Sequence, residues 1–342
     1  MTNWKKAGLT ALAGSLVTTS AFAGAMSVSG SANLTYTANS GQEDAGASVA
    51  TGTNVGIDGS RWGLSKTLSF SGSGEMDNGW TVSVSTALAN GATSGIGFTV
   101  DMGDMGSLNY EGHTGARGIG KIKDMMPTAD EDVGNGIDVD GTGSAGGLSG
   151  TVNGGVTGFH YANTVSDMVE IGVGYSPKGS STSANGGVTG AVGAGASTVS
   201  GFIKLDPMDG LEIGAGVGEK KTAKAGDNSV TDDHQTFYAT YVYGPLTVGY
   251  QLSNVDTAGT TADDEQTRWA VLYAVNDEMS ISYQAHENDD STNGIDEEAT
   301  GISASYTTGG MTFKMHRNTA DDVTNTVSNE SEHTEIGVTF AF

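Results

Sequence analysis

Hydrophobic and polar residues alternate strictly at both ends of this chain. Met26, Val28, Ala32, Leu34 and Tyr36 interleave with Ser27, Ser29, Ser31, Asn33, Thr35 and Thr37. At the other end Ile336, Val338, Phe340 and Phe342 interleave with Glu335, Gly337, Thr339 and Ala341. A period of two predicts strands with one apolar and one polar face. In a soluble sandwich such end strands would be edges, each with a row of unpaired backbone groups. Paired with each other they close the sheet, as a membrane demands of β-structure. The pattern therefore predicts an all-β fold: a closed antiparallel transmembrane β-barrel.

Between the ends, tight reversals take turns with long polar connections. The tight ones are Met76-Asp77-Asn78-Gly79, Gly103-Asp104-Met105-Gly106, Ser166-Asp167, Asp206-Pro207-Met208-Asp209-Gly210, Tyr243-Gly244-Pro245, Asn276-Asp277-Glu278 and Thr308-Gly309-Gly310. Their Asn, Asp, Gly and Pro residues supply the backbone angles that reversals need. The long connections fall at 39–60, 89–95, 113–155, 177–196, 219–235, 254–266, 287–299 and 318–333. Short turns on one side and long loops on the other are the asymmetry of outer-membrane barrels. Sixteen strands result, centred on 26–38, 61–75, 80–88, 96–103, 107–112, 156–163, 168–176, 197–206, 211–218, 236–243, 246–253, 267–275, 279–286, 300–307, 311–317 and 334–342. The weak patterning from 96 to 163 leaves fourteen or eighteen open.

Parity assigns the faces. The outward set includes Leu64, Leu68, Phe70, Trp80, Val173, Tyr175, Val217, Phe237, Tyr243, Trp269, Tyr283 and Phe342, with aromatics near strand ends as interface girdles require. Lys66 breaks this parity and marks either a subunit contact or a local slip in register. The inward set is mostly Ser, Thr, Gly and Gln. Its charged members are Arg61, Asp101, Glu111, Glu170, Lys204, Glu212, Arg268, Lys314 and Glu335, joined by His160, His286 and His316. A small soluble barrel fills its interior with apolar chains. A polar interior implies water, and a water-filled barrel is a pore.

Residues 1–23 read as a signal peptide, with Lys5 and Lys6, a short apolar run from Ala7 to Val17, and Ala21-Phe22-Ala23 before the cut. Residues 24–342 then form the barrel domain. No later stretch approaches the roughly 18 to 20 apolar residues of a membrane helix. The chain has no cysteine, so an exported protein of this length rests on one large cooperative fold. Its 54 glycines come with only 4 prolines and no three-residue period, which excludes collagen and points to lumen positions and tight turns. Losing Lys5 and Lys6 takes the formal charge from −25 to −27. Nucleic acid is a poor partner for such a field, and small hydrophilic solutes and cations are better ones.

Several segments resemble the trimeric general porins of Gram-negative bacteria. Ser60-Arg61-Trp62-Gly63-Leu64 leading to Glu75-Met76-Asp77-Asn78-Gly79-Trp80 resembles the family's second strand and its acidic turn. Gly103-Asp104-Met105-Gly106 resembles its next turn, and Phe159-His160-Tyr161-Ala162-Asn163 the strand that leaves its constriction loop. The terminal Phe342 resembles the residue read by the barrel-assembly machinery. The resemblance spans the mature chain and implies a homotrimer in the outer membrane, among lipid and lipopolysaccharide, passing small hydrophilic solutes by passive diffusion. It also implies that the third long loop, 113–155, folds inward and carries Asp124, Asp130, Glu131, Asp132, Asp138 and Asp140 to a constriction opposite Arg61. Glu111 stands where the family usually has a wall arginine. Glu170, Lys204, Glu212, Arg268 and Lys314 would line the lumen beyond the constriction. These acids imply a cation-selective pore.

Other chemistry finds little footing. Gly141-Thr142-Gly143-Ser144-Ala145-Gly146 matches a nucleotide-binding string, but glycine is abundant and no strand–helix–strand context surrounds it. No catalytic motif occurs and no cofactor is expected. The acid runs Asp263-Asp264-Glu265, Asp289-Asp290 and Asp296-Glu297-Glu298 read as loop charge, solvated or weakly bridged by Ca²⁺ or Mg²⁺ to surface lipid. A calcium-binding β-solenoid would share the acidity but needs a nonapeptide repeat that is not visible. A substrate-specific channel or a barrel adhesin stays open as an alternative, and channel conductance separates the adhesin from the pore.

Overall fold

The computed structural model describes residues 26–43, 55–56, 59–111, 116–137, 158–177, 196–223, 229–257, 263–290, 295–323 and 330–342. The leader 1–23 lies outside them. Sixteen strands among these residues form one antiparallel sheet. They are β1 (Met26–Glu43), β2 (Gly59–Glu75), β3 (Thr81–Ala89), β4 (Ala92–Asp101), β5 (Ser107–Glu111), β6 (Gly158–Ser166), β7 (Val169–Ser176) and β8 (Ala196–Met208). The circuit continues with β9 (Leu211–Ala223), β10 (Ser229–Tyr243), β11 (Leu246–Thr257), β12 (Asp263–Ala274), β13 (Met279–Asp290), β14 (Ile295–Thr308), β15 (Met311–Asp321) and β16 (Ser331–Ala341). A two-residue bridge, Val55–Gly56, adds to the top of β1.

Each strand pairs with its neighbour in sequence, and β1 pairs with β16 from Ser31↔Ala341 to Gly41↔Ser331. The sheet is therefore closed. The last residue extends that seam: Phe342 N–H donates to Gly30 O (2.9 Å) and Gly30 N–H to Phe342 O (2.8 Å). The Phe342 ring covers Gly30, where an added Cβ would lie 2.5 Å from it. The small residue at 30 is thus a seat for the terminal ring.

Three expectations need correction. Residues 89–95 are not a long loop. Asn90 (φ +52°) and Gly91 (φ +88°) make a two-residue reversal, and the Asn90 side chain accepts from Lys66 N–H at 3.0 Å. The Asn-Gly pair tolerates these angles, and that signal was there to be read. The strands also run higher than their apolar residues do: β10 begins at Ser229, not near 236. The acid runs 263–265, 289–290 and 296–298 accordingly lie in β12, β13 and β14. Above the apolar band both faces carry polar residues, the outward ones exposed and inward ones such as Asp232, His234, Asn288 and Glu297 buried, so the alternation fades while backbone pairing continues.

The short β3–β4 hairpin leaves a notch in the wall. β2 pairs with β1 from Gly59 to Gly72, but with β3 only from Thr67 to Glu75. Among the described residues the second flank of 59–65 has no strand partner, and Trp62 and Leu64 beside it are 71% and 67% exposed. Lys66 sits at the foot of this notch, opposite Ala32, with the register intact.

Candidate functional site

Strand parity puts hydroxyls, amides and charges on the inner wall, and residues 116–137 run along that wall. The segment has little regular structure, so its backbone groups need partners elsewhere. The wall supplies them. Gly118 N–H donates to Nδ1 of His160 (3.1 Å) and Ile119 N–H to Ser200 Oγ (3.2 Å). Gln251 accepts from Met125 N–H (3.1 Å) and donates to the carbonyls of Ile122 (2.9 Å) and Lys123 (3.1 Å). Ser282 and Gln284 accept from Ala129 N–H (3.0 Å) and Val133 N–H (2.8 Å). Asn318 donates to the carbonyls of Asp132 (3.2 Å) and Asn135 (3.0 Å).

Apolar contacts hold the same path. Ile119 and Ile122 pack with Phe202, Tyr238 and Val255, and Val133 and Ile137 with Ala299, Ala320 and Val323. Close approach needs missing side chains. A Cβ at Gly174 would meet Gly118 N at 2.6 Å, and one at Gly216 would meet Ile119 at 2.8 Å. Inward glycine here makes the seat of the segment.

Of the residues assigned to a constriction, this segment carries Asp124, Asp130, Glu131 and Asp132. Asp138 and Asp140 lie outside the described residues, as does the Glu111 side chain, though its backbone pairs with Gly97 and Gly158. Asp124 meets Arg268 at 3.4 Å. Asp130 meets Lys314 at 2.9 Å and His316 at 3.0 Å, and Glu131 meets Lys314 at 3.5 Å. Arg61 is exposed on β2. On the wall, Lys204 pairs with Glu170 (3.7 Å), and Glu212 accepts from the Tyr238 hydroxyl (2.5 Å). Asp124, Asp130 and Glu131 are therefore answered by basic groups of the wall, with Lys314 shared between the last two.

The same segment bears Arg117, Lys121 and Lys123, which sequence reasoning passed over because the acids outnumber them. The amide anchors Gln251, Gln284 and Asn318 were passed over too. Their signal was a long amide at inward parity among small residues. Among the described residues no group of three or more His, Cys, Asp or Glu is placed to hold a metal ion.

Protonation sharpens this picture. Burial pushes the Asp132 carboxyl up to about 8, helped by its hydrogen bond with Asp124 and by the charge on Asp124. Burial alone would also raise Asp130, but the hydrogen bonds from His316 and Lys314 outweigh it and hold that carboxyl below its usual range. Burial lowers the Lys123 ammonium. At neutral pH Asp132 is thus held protonated, and it gains its negative charge as pH rises through about 8.

Two results are expected. Cation preference in a planar bilayer should step up between pH 7 and 9, and Asp132→Asn should flatten the step. Docking of the segment should weaken as pH rises from the ordinary value of 3.8 toward about 8, because the docked state holds a proton that the released one loses. Limited proteolysis of residues 116–137 across that window reads this second effect. A selectivity curve that is flat in both proteins would remove Asp132 from the channel lining.

A closed sheet with an apolar outer belt, a polar interior and an inner segment on its wall defines a pore-forming β-barrel of the outer membrane. The family model for Gram-negative porins matches residues 8–277. The chain belongs to that family, and it is a channel for passive diffusion and not an enzyme. No curated protein matches the chain. Solved structures share the fold. The anion-selective porin from Comamonas acidovorans is 12% identical with a TM-score of 0.65, over 93% of this chain and 99% of that one. A porin refined at 1.8 Å resolution is 14% identical with a TM-score of 0.65, over 93% and 100%. In-vitro folded OmpT of Vibrio cholerae, in its trimer form, is 13% identical with a TM-score of 0.63, over 94% and 100%.

Proposed function

We propose that this porin, after loss of residues 1–23, assembles as a homotrimer and passes small hydrophilic solutes and ions with a modest preference for cations. The observation that carries the preference is the charge at both mouths. At the long-loop end, acids face acids across strands: Glu219↔Asp233↔Asp256, Glu265↔Asp289↔Asp296 and Glu298↔Asp321. At the turn end stand Glu75, Asp77, Asp101, Asp104, Asp167, Asp209, Asp277 and Glu278. The waist between them is mixed, since its acids face Arg268 and Lys314. Carboxylates at a mouth concentrate cations before they reach the waist.

Mouth charge is screened by salt, with a Debye length of roughly 10 Å at 0.1 M and 3 Å at 1 M. The zero-current potential should have the cation sign in dilute KCl and shrink toward zero as salt rises. Chloride preference in dilute salt would refute the reading.

The notch above Asn90 supports the trimer. An open strand edge facing lipid costs several kcal/mol per unpaired group, and a neighbouring subunit removes that cost. One similar solved structure, OmpT of Vibrio cholerae, is of a trimer form. Arg61, Glu111 and the segment's acids then line the passage beside this wall.

A further inference from the structure

Sulfur is spread unevenly over this barrel. The chain has 12 methionines and no cysteine, so thioethers are its only sulfur. Met26 opens β1, Met76 follows β2, and Met102 and Met105 belong to the reversal between β4 and β5. Met168 precedes β7, Met208 ends β8, and Met279 and Met311 open β13 and β15. All eight stand at the short-turn end, which faces the periplasm in outer-membrane barrels. Apart from Met1, only Met125 and Met126 of the inner segment and Met315 on the wall lie elsewhere.

The two groups of methionine sit in opposite surroundings. Met208, Met279 and Met311 stand opposite Leu211, Tyr306 and Phe340, on the outward parity. Met105, Met168 and Met208 are 53%, 55% and 58% exposed, whereas Met126 is 7% exposed. The rim turns are held through backbone groups. Met76 N–H donates to Trp80 O (2.7 Å), and Met168 O accepts from Asp206 N–H (3.0 Å). Met105 O accepts from the Tyr161 hydroxyl (2.8 Å). A chemical change at a rim sulfur leaves these bonds in place. The inner pair is different. Met126 packs over Gly249, where an added Cβ would lie 3.0 Å from its methyl, and Met125 packs against the cluster of Ile119 and Ile122. A polar sulfur there would loosen the seat of the segment.

We propose that the methionine rim is an oxidation site, which takes the first equivalents of a two-electron oxidant of the hypochlorous acid class and spares the thioethers that seat the inner segment. In each step the sulfur gives up two electrons and gains an S–O bond. The O–Cl bond breaks, and chloride and a proton leave. The resulting sulfoxide is polar and disrupts a packed core. At the rim it points toward headgroups and water, so strand pairing and packing persist. Unbranched thioethers on turns also present their sulfur freely. A methionine sulfoxide reductase of the periplasm restores each one with two electrons and two protons, releasing water. The rim lies outside the channel and does not depend on its selectivity.

The test titrates the whole mature protein, reconstituted in lipid vesicles, with hypochlorous acid at less than one equivalent per methionine. Peptide mass spectrometry reads the sulfoxide at each position, and a planar bilayer reads conductance at each dose. Met105, Met168, Met208 and Met279 should oxidise at about five- to tenfold the rate of Met126, because susceptibility follows exposure. Conductance should stay quiet until they are spent. Replacing Met76, Met105, Met168, Met208, Met279 and Met311 together by Leu should bring on noisy conductance at about half the dose, since most of the competing sulfur is gone. Met125→Leu with Met126→Leu should make conductance resist the oxidant while the rim still oxidises. The first readout uses the unaltered chain, so it stands even if the sixfold variant folds poorly. Rim methionines that oxidise no faster than Met126 overturn the proposal. So does conductance that is disturbed while Met125 and Met126 are still intact, or a sixfold variant with the dose response of the unaltered chain.

Discussion

Removal of Phe342 leaves the exported chain in the periplasm, and outer-membrane yield falls by an order of magnitude or more. Two effects combine. The last residue makes both backbone hydrogen bonds with Gly30 at the end of the closing seam, and its ring stacks 6.0 Å from Phe340 and covers Gly30. It is also the residue that the assembly machinery is expected to read. Gly30→Leu separates these effects, because it keeps the terminal aromatic but takes its seat. That variant should reach the membrane and lose heat resistance, by about 1–3 kcal/mol for a displaced ring and an overpacked contact. Fractionation and heat-modifiable migration on gels check both. Normal yield of the Phe342-deleted chain would show that closure alone, without a terminal signal, suffices for assembly.

The second large effect concerns the inner segment. Gln251→Leu with Gln284→Leu should enlarge single-channel conductance and make it noisy, without changing trimer yield. Gln251 makes three hydrogen bonds to the segment's backbone and a fourth to Thr236 (3.0 Å). Gln284 accepts from the buried Val133 N–H. Leucine fills the space but leaves those backbone groups without partners, at about 1–3 kcal/mol each. A segment held by that many bonds should then populate released states. Quiet, unaltered conductance in the double variant would mean that residues 116–137 do not limit the pore.

Much of the fold was legible because a membrane barrel writes its rule into every second residue. Val28 and Leu34 against Ser27 and Asn33 gave both the strand and its face. All sixteen strands lie where alternation put them, and the tight turns fall at the Asn, Asp and Gly clusters. What escaped has one physical cause: where both faces of a strand carry polar residues, whether exposed outward or buried inward, no apolar signal remains. Asp233, Gln235, Asp289 and Asp296 read as loop and are strand for this reason. The inner segment was harder. Its acids were visible, but their partners Arg268, Lys314 and His316 lie on strands far away in sequence. No local pattern pairs Asp130 with residues near 315. Glycine abundance was read as turns and lumen, and its further use as a close seat at Gly174 and Gly216 appears only in three dimensions.

The closing seam sets a clock as well as a shape. Ser31 pairs with Ala341, a separation of 310 residues. Such contact order is slow to satisfy, since nearly the whole chain must be searched before the first strand finds its second partner. Until the final residues arrive, β1 keeps one bare edge and every partial sheet keeps two. An incomplete chain is therefore both unable to close and prone to aggregate, and must be held by chaperones or destroyed. Only the pairing of β1 with β16 removes both bare edges at once, so the sheet's stability and its protection from aggregation arrive together.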